Sequence, residues 1–302
     1  MIEKNAQDPA RYRKPLLFYN SARESFQDIL SGMKSSGPYT LLLPGYIGYS
    51  PREGSGLYDP VTAEKVPHLF YRIDRSVRID PDDFRKKLYS VEGNCLVLLV
   101  HYFGYVDPAA ARIAEMCRER NAVLVEDSAH ALYTDLIDHA CGSLGDYCFY
   151  SLHKMLPFRD GGMLRVNRDS VPLCAGHSSG HSPFDYDLEA ISVIRKRNAA
   201  LWERLLRDHP EQFSLIRESS GHCTPQTYPV LLNRFSREQL YFGLNDAGFG
   251  LVCLYHTMVE PLRNEPDPVW LSERIINLPV HQDVSEEDIL SMFQKMRSIM
   301  NF

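Results

Sequence analysis

Short apolar runs alternate with amphipathic segments along the first two-thirds of the chain, which is the pattern of an α/β fold. Runs such as "LVLLV" are apolar at every position, as expected of strands buried on both faces of a mainly parallel sheet. The candidate strands are Tyr39–Pro44, His68–Ile73, Cys95–Phe103, Ala122–Asp127, Asp146–Leu152 and Gly162–Val166.

Segments with the helical spacing of apolar residues lie between these strands. One helix is predicted to begin at Ser21 and another at Asp107, because both are residue types that cap helices. Pro108 follows Asp107, and proline is common in a first helical turn. A longer helix is predicted from Leu188 to Asp208.

The order of elements changes after the long helix. A strand "YPVLLN", a helix "SREQLYFGLNDAG", a strand "GLVCLY" and a last helix from Ser285 predict a smaller α+β unit, with Gly248 suited to end its first helix. The preceding stretch "AGHSSGHSPFDYD" has the composition of a connector. We therefore predict a large α/β domain over residues 1–185, then a connecting helix and a smaller α+β domain over 186–302.

Composition narrows the class of protein. The 302 residues are 44% hydrophobic and 24% charged, as in ordinary globular proteins. A net charge of -6 argues against a general nucleic-acid binder. The seven cysteines include no C-x-x-C pair, so neither a disulfide framework nor a metal site is indicated. Because we find no signal-peptide pattern and no apolar run of roughly 18 residues, we expect a cytoplasmic protein without a membrane partner.

Polar side chains follow several of the predicted strands, at the edge where open α/β sheets bind ligands. They are Asp127 and His130 after "AVLVE", Ser151, His153 and Lys154 after "DYCFY", Asn20 and Ser21 after "LLFY", and His101 with Tyr102 after "LVLLV". Taken alone, a strand-end aspartate is most often a cap or an ion-pair partner, and a lysine is most often solvated. His177 and His181 lie in the connector, where a polar loop is the simpler interpretation.

Several of these residues together match the needs of one cofactor. A pyridoxal phosphate (PLP) site needs a lysine that forms an imine and an acid that keeps the pyridine nitrogen protonated. It also needs hydroxyls and a helix N-terminus for the phosphate. Lys154, Asp127, Ser151 and the helix start at Ser21 supply these parts, and the glycine pair of "DGG" allows close backbone packing. The chain shows no P-loop, Rossmann, G-x-S-x-G or H-E-x-x-H motif.

The lysine region resembles that of fold-type I PLP enzymes and, more narrowly, that of the DegT/DnrJ/StrS sugar aminotransferases. The matching stretches are "AVLVEDSAHAL", "GSLGDYCFYSLHK", "DGGMLRV", "AGFGLVCLYH" and "INLPVHQDVSEEDI". They cover most of the chain from about Cys95 onward. The resemblance implies a large domain built on a mostly parallel central sheet and a smaller C-terminal α+β domain.

The resemblance also implies roles for single residues. Asp127 meets the pyridine nitrogen, His130 replaces a usual glutamine near the cofactor's hydroxyl, Ser151 binds phosphate, and Lys154 forms the imine. The usual "GT-x-AL" phosphate turn reads "NSARES", so Ser21 and Ala22 are assigned by position. The aromatic residue that stacks on the pyridine ring is expected within "PGYIGYS", as Tyr46 or Tyr49.

The implied activity is amination of a keto sugar, nucleotide-linked in this family, by an amino-acid donor such as glutamate, in a homodimer. Some sugar-modifying relatives carry histidine in place of the lysine and are dehydratases. Because His153 adjoins Lys154, it stays a candidate cofactor contact, and a PLP-dependent dehydratase or lyase stays open. The family's Asn-Tyr-Arg segment is not recognisable and the N-terminal half is short, so a non-catalytic binding protein on this scaffold is the third interpretation.

Overall fold

The computed structural model of the chain describes residues 15–174, 182–219 and 221–302. Seven strands form its large sheet: β1 (Leu16–Tyr19), β2 (Tyr39–Pro44), β3 (His68–Tyr71), β4 (Asn94–Val100), β5 (Val123–Asp127), β6 (Tyr147–Ser151) and β7 (Gly162–Val166). Their spatial order is β1-β7-β6-β5-β4-β2-β3. The histidines at 177 and 181 lie outside the described residues.

The large sheet is mainly parallel. Strands β3, β2, β4, β5 and β6 run parallel to one another, whereas β7 is antiparallel to both β6 and β1. Successive residues of β4 from Leu96 to Leu99 are fully buried, and since they point alternately to opposite faces, both faces of the sheet are covered. The predicted α/β class and the buried parallel strands are confirmed.

The described ranges contain nine α-helices. They are α1 (Ala22–Ser35), α2 (Tyr58–Ala63), α3 (Pro81–Ser90), α4 (Ala110–Glu119), α5 (Leu132–Leu136), α6 (Leu188–Arg207), α7 (Arg237–Asp246), α8 (Pro266–Ser272) and α9 (Glu286–Met300). Ser21 caps α1 as predicted, because its hydroxyl accepts the amide hydrogen of Glu24. Among these described helices, none has the length and apolar character to cross a membrane.

The predicted start of a helix at Asp107 is wrong by three residues. Helix α4 begins at Ala110, and the Asp107 carboxylate instead accepts hydrogen bonds from the backbone N–H groups of Ala109 (2.8 Å) and Ile79 (2.9 Å). The Asp107 carboxylate therefore joins the turn before α4 to Ile79, which lies just before α3. A side chain that caps a turn and one that caps a helix look alike in a sequence.

The C-terminal part has its own small sheet. Strands β8 (Phe213–Leu215), β9 (Thr227–Leu232) and β10 (Ile275–Pro279) are antiparallel in the order β10-β9-β8, and they share an apolar core with α6, α7 and α9. The core of the large sheet nevertheless includes Val259 and Leu271, so the C-terminal part also packs directly against the large domain. The division at residue 185 stays a prediction.

The predicted strand "GLVCLY" is wrong. Val252 forms one isolated bridge with Asn277, and residues 250–255 otherwise run as an irregular loop. Gly250 (φ 62°) and Tyr255 (φ 57°) have left-handed backbones, which a regular strand cannot contain. Gly248 (φ 86°) follows Ala247, the C-cap residue of α7, as predicted for a glycine that ends a helix.

Candidate active site

A cavity of about 1080 Å³ opens at the carboxyl ends of β4, β5 and β6. Seven of the eight residues predicted for the site line it: Ala22, Tyr49, Asp127, His130, Ser151, His153 and Lys154. Ser21 is not in the lining; its hydroxyl caps α1, and its neighbours Ala22 and Arg23 face the cavity. The topology explains this convergence, because parallel strands end at the same edge of a sheet.

Asp127 ends β5 at the base of the cavity and is 5% exposed. Its Oδ1 accepts the backbone N–H of Ala129 at 2.8 Å, and no donor of the described residues meets Oδ2. Burial raises the pKa of Asp127, while the Ala129 hydrogen bond and the nearby Lys154 and His101 oppose this. A carboxyl oxygen without a partner can therefore receive a protonated ring nitrogen from a bound ligand.

Lys154 follows β6, in a single 3₁₀ turn of Leu152–Lys154. The residue as a whole is exposed to solvent through the open cavity, while protein atoms surround its amine. The Nζ atom lies 3.3 Å from His130 Nε2. Desolvation lowers the pKa of Lys154, against the opposing effect of the carboxylates of Asp127 and Glu53. A lysine whose pKa is lowered has more of its amine in the neutral, nucleophilic form at a given pH.

The two histidines near Lys154 differ in environment. His130 is 4% exposed, and burial and the charge of Lys154 hold its pKa well below the usual range, so it is neutral at neutral pH. His153 is exposed, and its Nδ1 lies 3.3 Å from the Ser151 hydroxyl. The structure thus places Lys154 against His130, and His153 against Ser151.

The N-terminus of α1 is held by backbone contacts against Gly161 and Gly162, and Gly162 pairs with Ser151 in the sheet. The Gly161 N–H donates to the Asn20 carbonyl at 2.8 Å. A Cβ on Gly162 would lie 2.3 Å from the Ser21 carbonyl carbon, so this approach requires glycine. Ala22 and Arg23, the first two residues of α1, therefore line the same cavity as Ser151, and a helix N-terminus suits a phosphate. The Arg23 guanidinium is already paired with Asp59 at 3.2 Å and donates to the Glu53 carbonyl at 2.6 Å.

A buried pair that sequence reasoning missed lies behind Asp127. Glu126 is fully buried and accepts a hydrogen bond from His101 Nε2 at 2.9 Å. Its other donors are the backbone N–H groups of Gly142, Leu144 and Gly145. Burial raises the pKa of Glu126, but these hydrogen bonds outweigh it and hold the pKa below its usual value. His101 lines the cavity as predicted. Glu126 could have been found in the sequence from its position directly before Asp127 in "AVLVED".

An aromatic wall closes one side of the cavity. Tyr255 from the C-terminal part stacks on Tyr46 (5.1 Å between ring centroids, 29°) and meets His130 edge-on at 6.3 Å. A Cβ on Gly48 would lie 2.8 Å from Tyr255 Cδ1, so Gly48 leaves space for this ring. Two backbone hydrogen bonds join the segment that contains Gly48 to the segment that follows Tyr255. The Tyr49 N–H donates to the Thr257 carbonyl, and the Val259 N–H donates to the Ile47 carbonyl.

Sequence reasoning missed Tyr255 because it placed this residue in a regular strand. Of the two aromatic residues that were predicted, Tyr46 is fully buried and Tyr49 lines the cavity. The guanidinium of Arg263 lies 5.9 Å from the centre of the Tyr49 ring. Tyr49 stays a predicted cofactor contact, and Tyr255 joins it as a second aromatic candidate.

The residues of the cavity fit PLP. An amine with a lowered pKa, a carboxyl group with one oxygen without a partner, and the N-terminus of a helix that packs on Gly162 lie around one cavity. These are the groups required by the cofactor's aldehyde, pyridine nitrogen and phosphate, respectively. The cavity volume also slightly exceeds the usual range for small-molecule sites, which leaves room for a second ligand.

Comparison with known proteins confirms the family resemblance over part of the chain. Residues 67–172 match the model of the DegT/DnrJ/EryC1/StrS aminotransferase family. A segment of 69 residues is 44% identical to the dTDP-4-dehydro-2,3,6-trideoxy-D-glucose 4-aminotransferase of Saccharopolyspora spinosa. This segment spans 22% of the present chain and 18% of that relative.

Solved structures share the fold over nearly the whole chain. Helicobacter pylori PseC, an aminotransferase involved in the biosynthesis of pseudoaminic acid, aligns with a TM-score of 0.75 and 15% identity over 96% of this chain and 88% of its own. The GDP-4-keto-6-deoxy-D-mannose-3-dehydratase of E. coli, solved with hydrated PLP, aligns with a TM-score of 0.77 and 14% identity over 95% and 89%. At such identities the likeness shows the fold, which is the predicted fold-type I architecture.

Proposed function

We propose that this chain, identified over residues 67–172 as a member of the DegT/DnrJ/EryC1/StrS aminotransferase family, is a PLP-dependent aminotransferase that acts on a keto sugar. The observation that carries the proposal is the position of Lys154, whose amine lies 3.3 Å from buried His130 in the cavity that Asp127 also lines. Aminotransferase chemistry needs an amine and an acid of this kind in one protected site.

Each residue has a distinct task in this proposal. When bound, PLP supplies an electron sink for the carbon next to the transferred nitrogen. Lys154 binds the cofactor covalently and, once released, moves a proton as general base. Asp127 would hold a proton at the pyridine nitrogen, and Ser151 with the N-terminus of α1 at Ala22 would bind the phosphate. Neutral His130 positions the Lys154 amine through their hydrogen bond.

The finer features of the proposal are a nucleotide-linked keto sugar, a glutamate-like donor and a homodimer. The name of the Saccharopolyspora relative supports the first, because that protein aminates a dTDP-linked keto sugar. The donor and the dimer rest on the family resemblance. The volume of the cavity is compatible with a cofactor and a sugar together.

The test combines spectroscopy with product analysis. Purified protein with added PLP should show a band at about 400–430 nm from lysine-bound cofactor. With ¹⁵N-labelled glutamate and a dTDP-linked 4-keto sugar, mass spectrometry should find the label in the sugar. If the absorption band appears and the sugar loses water instead of gaining the label, the protein is a dehydratase. If it releases ammonia without a keto acceptor, it is a lyase. The absence of any band would refute the PLP enzyme and leave a non-catalytic scaffold.

Tyr255 leads to a separate prediction, because we propose that its ring forms the face against which the cofactor's ring lies. Gly48→Ala would place a methyl group 2.8 Å from Tyr255 Cδ1 and displace that ring. We expect PLP affinity to fall by about tenfold, the size of one lost aromatic contact. Fluorescence titration with PLP measures the change.

The control is Gly221→Ala, outside the cavity lining. A Cβ on Gly221 would have no atom within 4 Å, so its PLP affinity should equal that of the unchanged protein. Equal affinities for the Gly48 and Gly221 variants would show that Tyr255 does not contact the cofactor. In Tyr255→Phe the ring is kept, and we expect binding to be kept with it.

A further inference from the structure

The turn that follows β4 contains a strained residue next to the candidate active site. Phe103 lies in the 3₁₀ turn Tyr102–Gly104, and its backbone is left-handed (φ 59°, ψ 14°). This conformation is unfavourable for a residue with a bulky side chain, so it persists only where surrounding contacts hold it. Strained residues of this kind are most common at functional sites.

Contacts with other segments fix this turn. The Phe103 carbonyl accepts a hydrogen bond from the Gln226 N–H at 2.8 Å, and the Gly104 carbonyl accepts one from the Thr134 hydroxyl at 2.6 Å. Gly104 is also left-handed (φ 93°), and a Cβ there would lie 2.8 Å from the His130 carbonyl oxygen. The turn is therefore packed on the backbone of His130 and is tied to the C-terminal part through Gln226.

The Phe103 ring contacts both His130 and Tyr255. It is fully buried, outside the cavity lining, and it stacks on the His130 ring with 6.3 Å between centroids and 19° between planes. It meets the Tyr255 ring edge-on at 5.7 Å. Both distances lie within the range of favourable aromatic contacts. One side chain therefore touches the histidine beside Lys154 and the aromatic wall of the cavity.

The Phe103 ring also contributes to the environment that keeps His130 neutral. Burial is the larger cause of the lowered pKa of His130, and the charge of Lys154 is the smaller one. The titratable groups that face the imidazole include the Lys154 amine at 3.3 Å and Tyr255, whose ring meets it edge-on. Phe103 covers one face of the imidazole with apolar carbon, so its ring is part of that burial.

We propose that Phe103 is a positioning residue of this site, which keeps His130 neutral and in place as the hydrogen-bond partner of the Lys154 amine. The inference rests on the proposed function, because only a cofactor that reacts with this amine gives the arrangement a task. A neutral imidazole shares a hydrogen bond with the amine, whereas an imidazolium repels the lysine in its charged form. The contacts of Phe103 with Gln226 and Tyr255 make this support depend on the C-terminal part.

The test uses Phe103→Gly, because glycine adopts the left-handed backbone without strain while the ring is lost. In the apoprotein, NMR follows the ¹³C-labelled Cε1 of His130, assigned with His130→Gln, as the pH changes. We expect the pKa of His130 to rise from its lowered value toward the ordinary histidine value of about 6.5. We also expect the rate of PLP capture by Lys154 at one fixed pH to fall about tenfold.

Val77→Gly is the matched control. Val77 is also fully buried with a left-handed backbone (φ 56°), and it lies outside the cavity lining. The titration of His130 and the rate of PLP capture in this variant should equal those of the unchanged protein. If Phe103→Gly does not fold, Phe103→Leu keeps a buried apolar side chain but loses the flat face, and the pKa of His130 should rise by a smaller amount.

Three results would overturn the inference. They are an unchanged titration of His130 in the folded Phe103 variant, a changed titration with an unchanged rate of capture, and an equal change in Val77→Gly. Failure of the proposed function gives a different result. If no variant captures PLP but the titration of His130 still depends on Phe103, the support of His130 by Phe103 stands and the aminotransferase proposal falls.

Discussion

Replacement of Lys154 by alanine should abolish covalent capture of PLP and lower the amination rate by about 10³-fold or more. The amine is the group that binds the cofactor and moves the proton, and its described polar neighbour is His130 at 3.3 Å. Neutral His130 cannot replace it as a nucleophile toward an aldehyde. Reduction with borohydride followed by peptide mass spectrometry identifies the lysine that carries the cofactor.

The His153→Ala variant shows whether His153 or Lys154 is the residue needed for covalent capture of the cofactor. We expect this variant to retain covalent capture, since His153 contacts the Ser151 hydroxyl and not the amine. Labelling of another lysine, or loss of capture in the His153 variant alone, would contradict the assignment of Lys154 and return the dehydratase interpretation to first place. A protein with capture in both variants would have no specific lysine at this site.

The pH dependence of capture follows from the environment of Lys154. Desolvation lowers its pKa, so the neutral amine forms at a lower pH than in an ordinary lysine, whose pKa is about 10.4. The rate of PLP capture by the apoprotein should therefore rise with pH and reach a plateau below the pH at which free lysine does so. A rise that continues above pH of about 10.4 would show that the amine is solvated.

The large sheet was predictable because burial on both faces leaves an unambiguous signal. The runs at Tyr39–Pro44 and Gly162–Val166 are strands β2 and β7 with the bounds predicted from the sequence. The cluster of Asp127, Ser151 and Lys154 was predictable for a related reason: each follows such a run, and parallel strands end together. The apolar runs in the sequence and the parallel arrangement of the strands therefore predict the same cluster of residues.

Contacts between distant segments could not be predicted in this way. The run 250–255 has the composition of a strand, yet tertiary contacts hold Tyr255 in a left-handed conformation against Gly48. The partnership of Glu126 with His101 joins two strands and depends on their register, which the sequence does not specify. In the sequence Arg195 is one more charge in the basic stretch "RKR", and only the fold shows that it is buried and donates to backbone carbonyls.

Gly162→Ala should damage stability and cofactor binding together. Gly162 lies in β7, paired with Ser151 of β6 on one side and Tyr19 of β1 on the other. A methyl group at this position would lie 2.3 Å from the Ser21 carbonyl carbon and 2.5 Å from the Ala22 nitrogen, both backbone atoms that cannot rotate away. The overlap can be relieved only if the start of α1 moves away from the sheet. We expect the free energy of unfolding to fall by about 1–3 kcal/mol.

The same displacement moves the helix N-terminus away from Ser151, so the phosphate site opens. We expect the dissociation constant of PLP to rise about 10- to 100-fold, which corresponds to about 1.4–2.8 kcal/mol. Urea unfolding of the apoprotein and a fluorescence titration with PLP measure the two effects. Gly221→Ala is the control, because a Cβ at Gly221 meets no atom within 4 Å, and both quantities should stay unchanged. Normal PLP affinity in a destabilised Gly162 variant would show that the cofactor's phosphate lies elsewhere, since a site that has opened cannot keep the same ligand with the same strength.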